Sequence, residues 1–186
     1  MRAHQKIIRD RRAAEDADAD MFGRWWQGIN LDISKADVRE VSYATAEAII
    51  LKYEWLGKMP AIVRHCYGIF FDGCCGGVVT YGDEYAENLG VWDKYGFTGK
   101  IICLSRGACV HWAPPHAGSK LIRRSIDLLP DRYRVITCTT DHEAGEVGTI
   151  YQACGFVFVQ MNTHARYQVE GVSSRATRGK LKNKEA

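Results

Sequence analysis

Proline is scarce in this chain: four among 186 residues, at Pro60, Pro114, Pro115 and Pro130. No stiff Pro-rich linker can be drawn from so few, and no repeat or low-complexity tract is present. The apolar stretches fall far short of the run of about 20 residues that a membrane span requires, so no membrane partner is expected. The opening Met1-Arg-Ala-His-Gln-Lys-Ile-Ile-Arg-Asp-Arg-Arg has no apolar core of signal-peptide type. A cytoplasmic protein is therefore expected. Seven cysteines make an odd number. They form no Cys-x-x-Cys, which argues for reduced thiols and against a disulfide framework. Cys103, Cys109, Cys138 and Cys154 lie in apolar runs, where a thiol behaves as a small hydrophobe. Cys74-Cys75 falls at an expected turn near His65-Cys66, with no recognisable ligand spacing. A metal is left open and no ligand is assigned.

What is present suits one domain with a substantial core. Hydrophobic residues make up 46% and charged residues 25% of the chain, with a net charge of +3. That charge is uneven. From His164 onward, Arg166, Arg175, Arg178, Lys180, Lys182 and Lys184 oppose only Glu170 and Glu185. Almost no large apolar residue accompanies them, so this end is expected to stay unpacked: a solvated tail, or an arm for phosphate backbones.

Residues 1 to 20 read as a helix with basic residues first and acidic ones last. This is the unfavourable order for the helix dipole, so the helix needs something to pack on it. Met21-Phe-Gly-Arg-Trp-Trp26 offers such a patch. A second helix is expected from Thr45 to about Trp55, where Ala46, Ile49, Ile50 and Tyr53 recur at helical spacing, with Gly57 ending it. Two strand-like runs follow, 65–71 and 76–81, with Asp72-Gly73 as a hairpin turn. The polar and aromatic stretch 82–99 reads as a long loop.

The segment 100–160 carries the strongest signal. An apolar run (Lys100-Ile-Ile-Cys-Leu-Ser-Arg-Gly-Ala-Cys-Val110) leads through Pro114-Pro-His-Ala-Gly-Ser119 into an amphipathic helix over 120–129, with Ser119 as its opening cap. A second apolar run, Arg134-Val-Ile-Thr-Cys-Thr-Thr-Asp141, precedes a helix ending Gly148-Thr-Ile-Tyr-Gln-Ala-Cys-Gly-Phe156. Further short strands are expected around 156–160 and 166–169. Strand, helix, strand, helix in this order demands a parallel pair with a right-handed crossover. Within it, Arg106 interrupts an apolar strand and must escape at an edge or be paired, Asp141 being one candidate partner. Asp141 ends its strand at the carboxyl edge, where α/β sheets place ligand groups, although a helix cap would use the same residue. His111 and His116 flank Trp112-Ala-Pro-Pro as loop histidines.

This order resembles the GNAT-type acyltransferase fold, an α/β (α+β) mixed sheet with a splayed parallel strand pair. The resemblance implies one catalytic domain over 1–170, with 1–40 as a helical extension and 171–186 as a basic tail. It also implies that the splayed strands receive a donor's arm while the next helix start holds its phosphates, through Gly118, Ser119 and Lys120. The family's phosphate loop is Gln or Arg, two residues, Gly, one residue, then Gly or Ala. Here Gly118 matches while Pro115 and Lys120 do not. Tyr151 stands where a tyrosine of this fold protonates the leaving group, or else packs on Phe156.

Five blocks narrow the resemblance: Lys52-Tyr-Glu-Trp-Leu-Gly-Lys-Met-Pro60, Tyr67-Gly-Ile-Phe-Phe71, Gly77-Val-Val-Thr-Tyr-Gly82, Leu104-Ser-Arg-Gly107 and Gly148 to Phe156. Over about residues 45–170 the chain is similar to the Mom family of Mu-type phages. That likeness implies conversion of adenine to N6-carbamoylmethyladenine in phage DNA, protecting it from host restriction. Matched positions put active-site expectations on Arg106, Ser119, Asp141, Tyr151 and Tyr53, the last where relatives tend to carry His. Double-stranded DNA is the implied partner, with Arg175, Arg178, Lys180, Lys182, Lys184 and Trp92 as contacts and a homodimer left open. The donor is unspecified, an acyl-coenzyme A or another glycyl or acyl donor. An ordinary N-acetyltransferase and a degenerate DNA-binding module are the alternative readings.

Overall fold

The computed structural model describes residues 3–18, 26–84 and 92–159. The chain divides into two compact units, Met1–Phe156 and Val157–Ala186. The first is built on a five-stranded sheet in sequential order: β1 (Asp37–Glu40), β2 (His65–Phe71), β3 (Cys74–Gly82), β4 (Ile101–Cys109) and β5 (Val135–Cys138). The first four strands are mutually antiparallel and β4–β5 is parallel. Among the described residues four α-helices accompany them: α1 (His4–Asp18), α2 (Tyr43–Tyr53), α3 (Ala117–Leu128) and α4 (Thr149–Ala153). This is the mixed sheet that the sequence order predicts. Of the second unit, residues 157–159 are described; they form no strand.

Alternation along β2 and β3 divides the core between two helices. Cys66 and Val78 pack with Ala46 and Ile50 of α2. Tyr67, Ile69, Val79 and Tyr81 point the other way, into the cluster holding Leu121 and Ile122 of α3. Two phenols tie that face to the helix, Tyr67 Oη donating to the Leu128 carbonyl and Tyr81 Oη meeting Ser125 Oγ at 2.7 Å. The β2–β3 turn has Asp72 and Gly73 both at positive φ (46° and 80°), the geometry an Asp-Gly hairpin favours. Cys74 and Cys75 are the first residues of β3 and not the turn itself.

Two helices begin earlier than their sequence patterns indicate. Ser42 caps α2 by accepting from the Thr45 amide, and the helix stops at Tyr53, before Gly57, because Glu54 swings into an extended conformation. Helix α3 starts at Ala117, so Ser119 lies inside its first turn and is not the cap. The cap position is His116, at φ 68°, and Ser119 Oγ donates to its carbonyl.

Helix α1 has the weak charge order noted above and is held by tertiary bonds to backbone acceptors. Gln5 donates to the Tyr53 carbonyl, Arg9 to the His111 and Ala113 carbonyls, and Arg12 to the Lys52 carbonyl. Trp26 packs against the main core, edge-on to His111. Among the described residues no helix is long and apolar enough to cross a membrane.

Candidate active site at the splayed strand ends

β5 pairs with β4 only from Ile101–Val135 to Leu104–Cys138, while β4 continues to Cys109. The parallel pair therefore parts after Leu104, inside the stretch where the sequence puts the splay. At that point β4 carries an extra residue. Tyr81 faces Leu104 and Thr80 faces Arg106, leaving Ser105 bulged. A bulge re-aims the side chains beyond it. Without the bulge, Arg106 would share the α3 face with Leu104. With it, Arg106 lies opposite Thr80, on the side where Val78 meets α2.

That reversal brings Arg106 to Glu54, which follows the last residue of α2. Glu54 is only 8% exposed, and its Oε2 accepts the amides of Leu56 and Gly57 at 2.9 and 3.2 Å. Burial pushes its carboxyl above the ordinary range. Arg106 and the two amides oppose that rise, and Glu146 adds to it. Arg106 Nη1 donates to the Ser105 carbonyl at 2.8 Å. Its Nε is buried without a hydrogen-bond partner. The partner expected as one option, Asp141, forms no ion pair with it; Glu54 supplies the neighbouring charge.

Tyr151 of α4 belongs to the same neighbourhood. Burial drives its phenol pKa upward, and Cys138, Glu146, Cys103 and Glu54 add to the rise. The phenol thus keeps its proton through the neutral range. Its ring also stacks edge-on against Phe156, with centroids 5.6 Å apart, so the packing role is real as well. Glu146 is fully committed: Oε1 accepts Trp55 Nε1 at 3.0 Å and Oε2 accepts the Asp141 amide at 3.1 Å. Asp141 is exposed, and its Oδ1 accepts the amides of Glu143 and Ala144, capping the turn that carries Glu146. On the β5 side, buried Glu84 accepts the Thr137 hydroxyl, and burial pushes the Cys103 thiol beside it up to about 11.

The expected donor-phosphate residues lie elsewhere, at the start of α3. A Cβ built on Gly118 would stand 2.9 Å from Ile150 Cδ1 of α4. Cys154 Sγ donates to the Ser119 carbonyl at 3.4 Å. Lys120 Nζ is bound to the carbonyls of Ile33 and Ser34, at 2.5 and 3.3 Å. At this start Gly118 packs against Ile150, and the Lys120 ammonium, held by two carbonyls, is not free to meet a coenzyme A pyrophosphate.

Tyr53 is buried in the main core, its ring stacked on His111 at 6.2 Å and 25°. Trp92 is half-buried, and its carbonyl accepts the amides of Tyr95 and Phe97. Arg175, Arg178, Lys180, Lys182 and Lys184 lie outside the described residues. Among the described residues no group of three His, Cys, Asp or Glu side chains is arranged to hold a metal ion. Glu54 and Glu146 join the expected residues at this site. One signal for Glu54 was available: a carboxylate at a helix C-terminus opposes the helix dipole and needs another reason to be there.

The fold is that of known acetyltransferases. An aminoglycoside acetyltransferase from an uncultured soil metagenomic sample, in complex with trehalose, superposes with a TM-score of 0.52 at 10% identity. That match covers 76% of this chain and 100% of the other. An aminoglycoside N-acetyltransferase in complex with coenzyme A gives 0.50 at 13%, covering 76% and 97%. A possible acetyltransferase from Clostridium difficile 630 gives 0.51 at 10%, covering 72% and 97%. No curated protein sequence matches the chain. The profile of the Mom protein family matches residues 35–185, spanning the sheet and the site just described, and the chain belongs to that family.

Proposed function

We propose that this chain is a transferase that modifies adenine in DNA at N6, yielding N6-carbamoylmethyladenine and shielding phage DNA from host restriction. The observation that carries this reading is Arg106, re-aimed by the bulge to Glu54 beside the protonated Tyr151, where the parallel strands part. Membership of the Mom family supports this reading of the site. The exocyclic N6 shares its lone pair with the ring and is a weak nucleophile, so an enzyme must supply an acceptor for its hydrogens. A carboxylate does this, a guanidinium steadies the negative charge that develops, and a buried phenol donates a proton to the departing group.

The base must also leave the duplex stack, and flipped bases are held against aromatic side chains. Trp55, held by its bond to Glu146, would supply that contact. The basic residues after Val169 would follow the phosphate backbone. Because the product joins N6 to a CH2 carbon, the donor carries an activated carbamoylmethyl or glycyl carbon with its leaving group, and no step is assigned to coenzyme A. Mass spectrometry of nucleosides from DNA of cells expressing the chain tests the function. Modified adenine is the expected product, and its absence refutes the reading.

A further inference from the structure

We infer that Glu54 is the catalytic carboxylate that receives the acceptor amine, its Oε1 taking a hydrogen bond and then a proton from adenine N6. This assignment rests on the function proposed above and names its proton acceptor. Four carboxylates lie around the parted strands, and their existing bonds separate them. Glu146 has both oxygens engaged, by Trp55 and by the Asp141 amide. Asp141 is exposed and caps a turn through Oδ1. Glu84 holds the Thr137 hydroxyl across β4. In Glu54 both backbone bonds fall on Oε2, and the charge that acts on it is Arg106, whose Nε is buried without a hydrogen-bond partner.

Turn capping does not account for Glu54. Asp32 makes comparable bonds, to the Ser34 amide and hydroxyl, from an exposed position, and they lower its pKa. In Glu54 burial outweighs the same kind of bond and raises it. A carboxylate kept in a site that disfavours its charge is a stronger base than one in water, which is what a weak nucleophile requires. In the step itself the N6 lone pair forms a bond to the donor carbon. The bond from that carbon to the leaving group breaks, and its electron pair departs with that group. The leaving group takes the Tyr151 proton and Glu54 takes the N6 proton.

The test uses the full-length chain. E54Q keeps an oxygen for Leu56 and Gly57 but cannot accept the proton, so modified adenine per cell should fall by about 10²–10⁴-fold while DNA affinity stays unchanged. The folded pKa of Glu54 lies above its unfolded value, so its ionised form costs stability at neutral pH, and that cost fades as pH falls through the folded pKa toward the ordinary carboxyl value. Arg106, Glu146, Tyr151 and the amides of Leu56 and Gly57 are the groups that set this balance. E54Q removes that cost and keeps the cap oxygen but leaves Arg106 without its opposing charge, so melting serves to show that the variant is folded, and a carboxylate that acted only as a cap would leave modification at the wild-type level. Folded E54Q that modifies adenine at the wild-type level overturns the assignment and leaves the function standing. Wild-type chain that produces no modified adenine overturns both. Should E54Q not fold, E54D keeps the charge but shortens its reach: folded E54D with strongly reduced modification supports the assignment, and undiminished modification overturns it.

Discussion

Ile150 of α4 lies against Gly118 of α3 so closely that a methyl group on the glycine would stand 2.9 Å from its Cδ1. Gly118 is the one position where the phosphate loop of the acyltransferase fold matches this chain. Here its lack of a side chain admits a neighbouring helix. The sulfur contact from Cys154 to the Ser119 carbonyl fastens the same junction. Acetyl-coenzyme A should accordingly bind weakly or not at all. Calorimetry with the purified protein checks this, and stoichiometric, tight binding would favour an ordinary acetyltransferase.

The buried pair Tyr81–Ser125 joins the sheet to α3, and Ser125 Oγ also donates to the Ile122 carbonyl. Burial drives the Tyr81 phenol pKa upward, so the hydroxyl remains a neutral hydrogen-bonding group. Ser125→Ala strands that hydroxyl in the core and should cost about 1–3 kcal/mol, the penalty for a buried polar group without a partner. Denaturant unfolding should show a lower midpoint with an unchanged slope. A midpoint equal to wild type would mean that the phenol finds another partner.

His111 sits under α1, with its Nε2 3.3 Å from Asp16 Oδ2 but not aligned for a hydrogen bond. Burial lowers its pKa chiefly. Asp16 opposes this, while Lys52 and Arg9 reinforce it, and Trp26 and Tyr53 supply the remaining walls. A histidine with a depressed folded pKa binds fewer protons folded than unfolded. Its contribution to stability is therefore complete above the ordinary value of about 6.5 and declines as pH falls toward the folded pKa. Wild-type chain should lose more melting temperature than His111→Gln between about pH 7.5 and about pH 5.5. Equal losses would show that His111 does not titrate there.

Much of this architecture is legible in the sequence because it is local. Asp72-Gly73 fixes a hairpin, and the apolar runs at 101–109 and 135–138 with a helix between them demand a parallel pair. Arg106 could be singled out as a charge in an apolar strand, but not its destination. Its direction depends on the Ser105 bulge, which exists only once β3 and β4 are in register. Glu54 is hidden for the same reason: the charges that act on it, Arg106 and Glu146, stand far along the chain and meet it only in the fold. Ser119 lies inside α3 and not at its cap because His116, with an αL backbone that the sequence does not advertise, starts the helix earlier.

The basic end should contribute nonspecific affinity for duplex DNA. Each phosphate neutralised by Arg175, Arg178, Lys180, Lys182 or Lys184 should add about 0.9 to the slope of log affinity against log salt. Removing the residues after Val169 should flatten that slope. An unchanged slope would leave the segment as a solvated tail.

Tyr151 and Arg106 carry the remaining catalytic prediction, and their structural roles must be separated from it. Tyr151→Phe removes only the hydroxyl and keeps the ring that packs edge-on against Phe156. Folding and DNA binding should survive, while modified adenine falls by about 10²–10⁴-fold, the usual cost of losing one general acid. Undiminished modification by a folded variant would return Tyr151 to packing alone. Arg106→Ala is a harsher change, since it leaves the buried Glu54 without its opposing charge. Arg106→Lys keeps a cation while giving up the planar fork, so the sheet should hold and the alignment with Glu54 should not. A folded Arg106→Lys protein that binds DNA normally but modifies adenine slowly is the expected outcome. Full activity in that variant would mean that any positive charge suffices at the bulge.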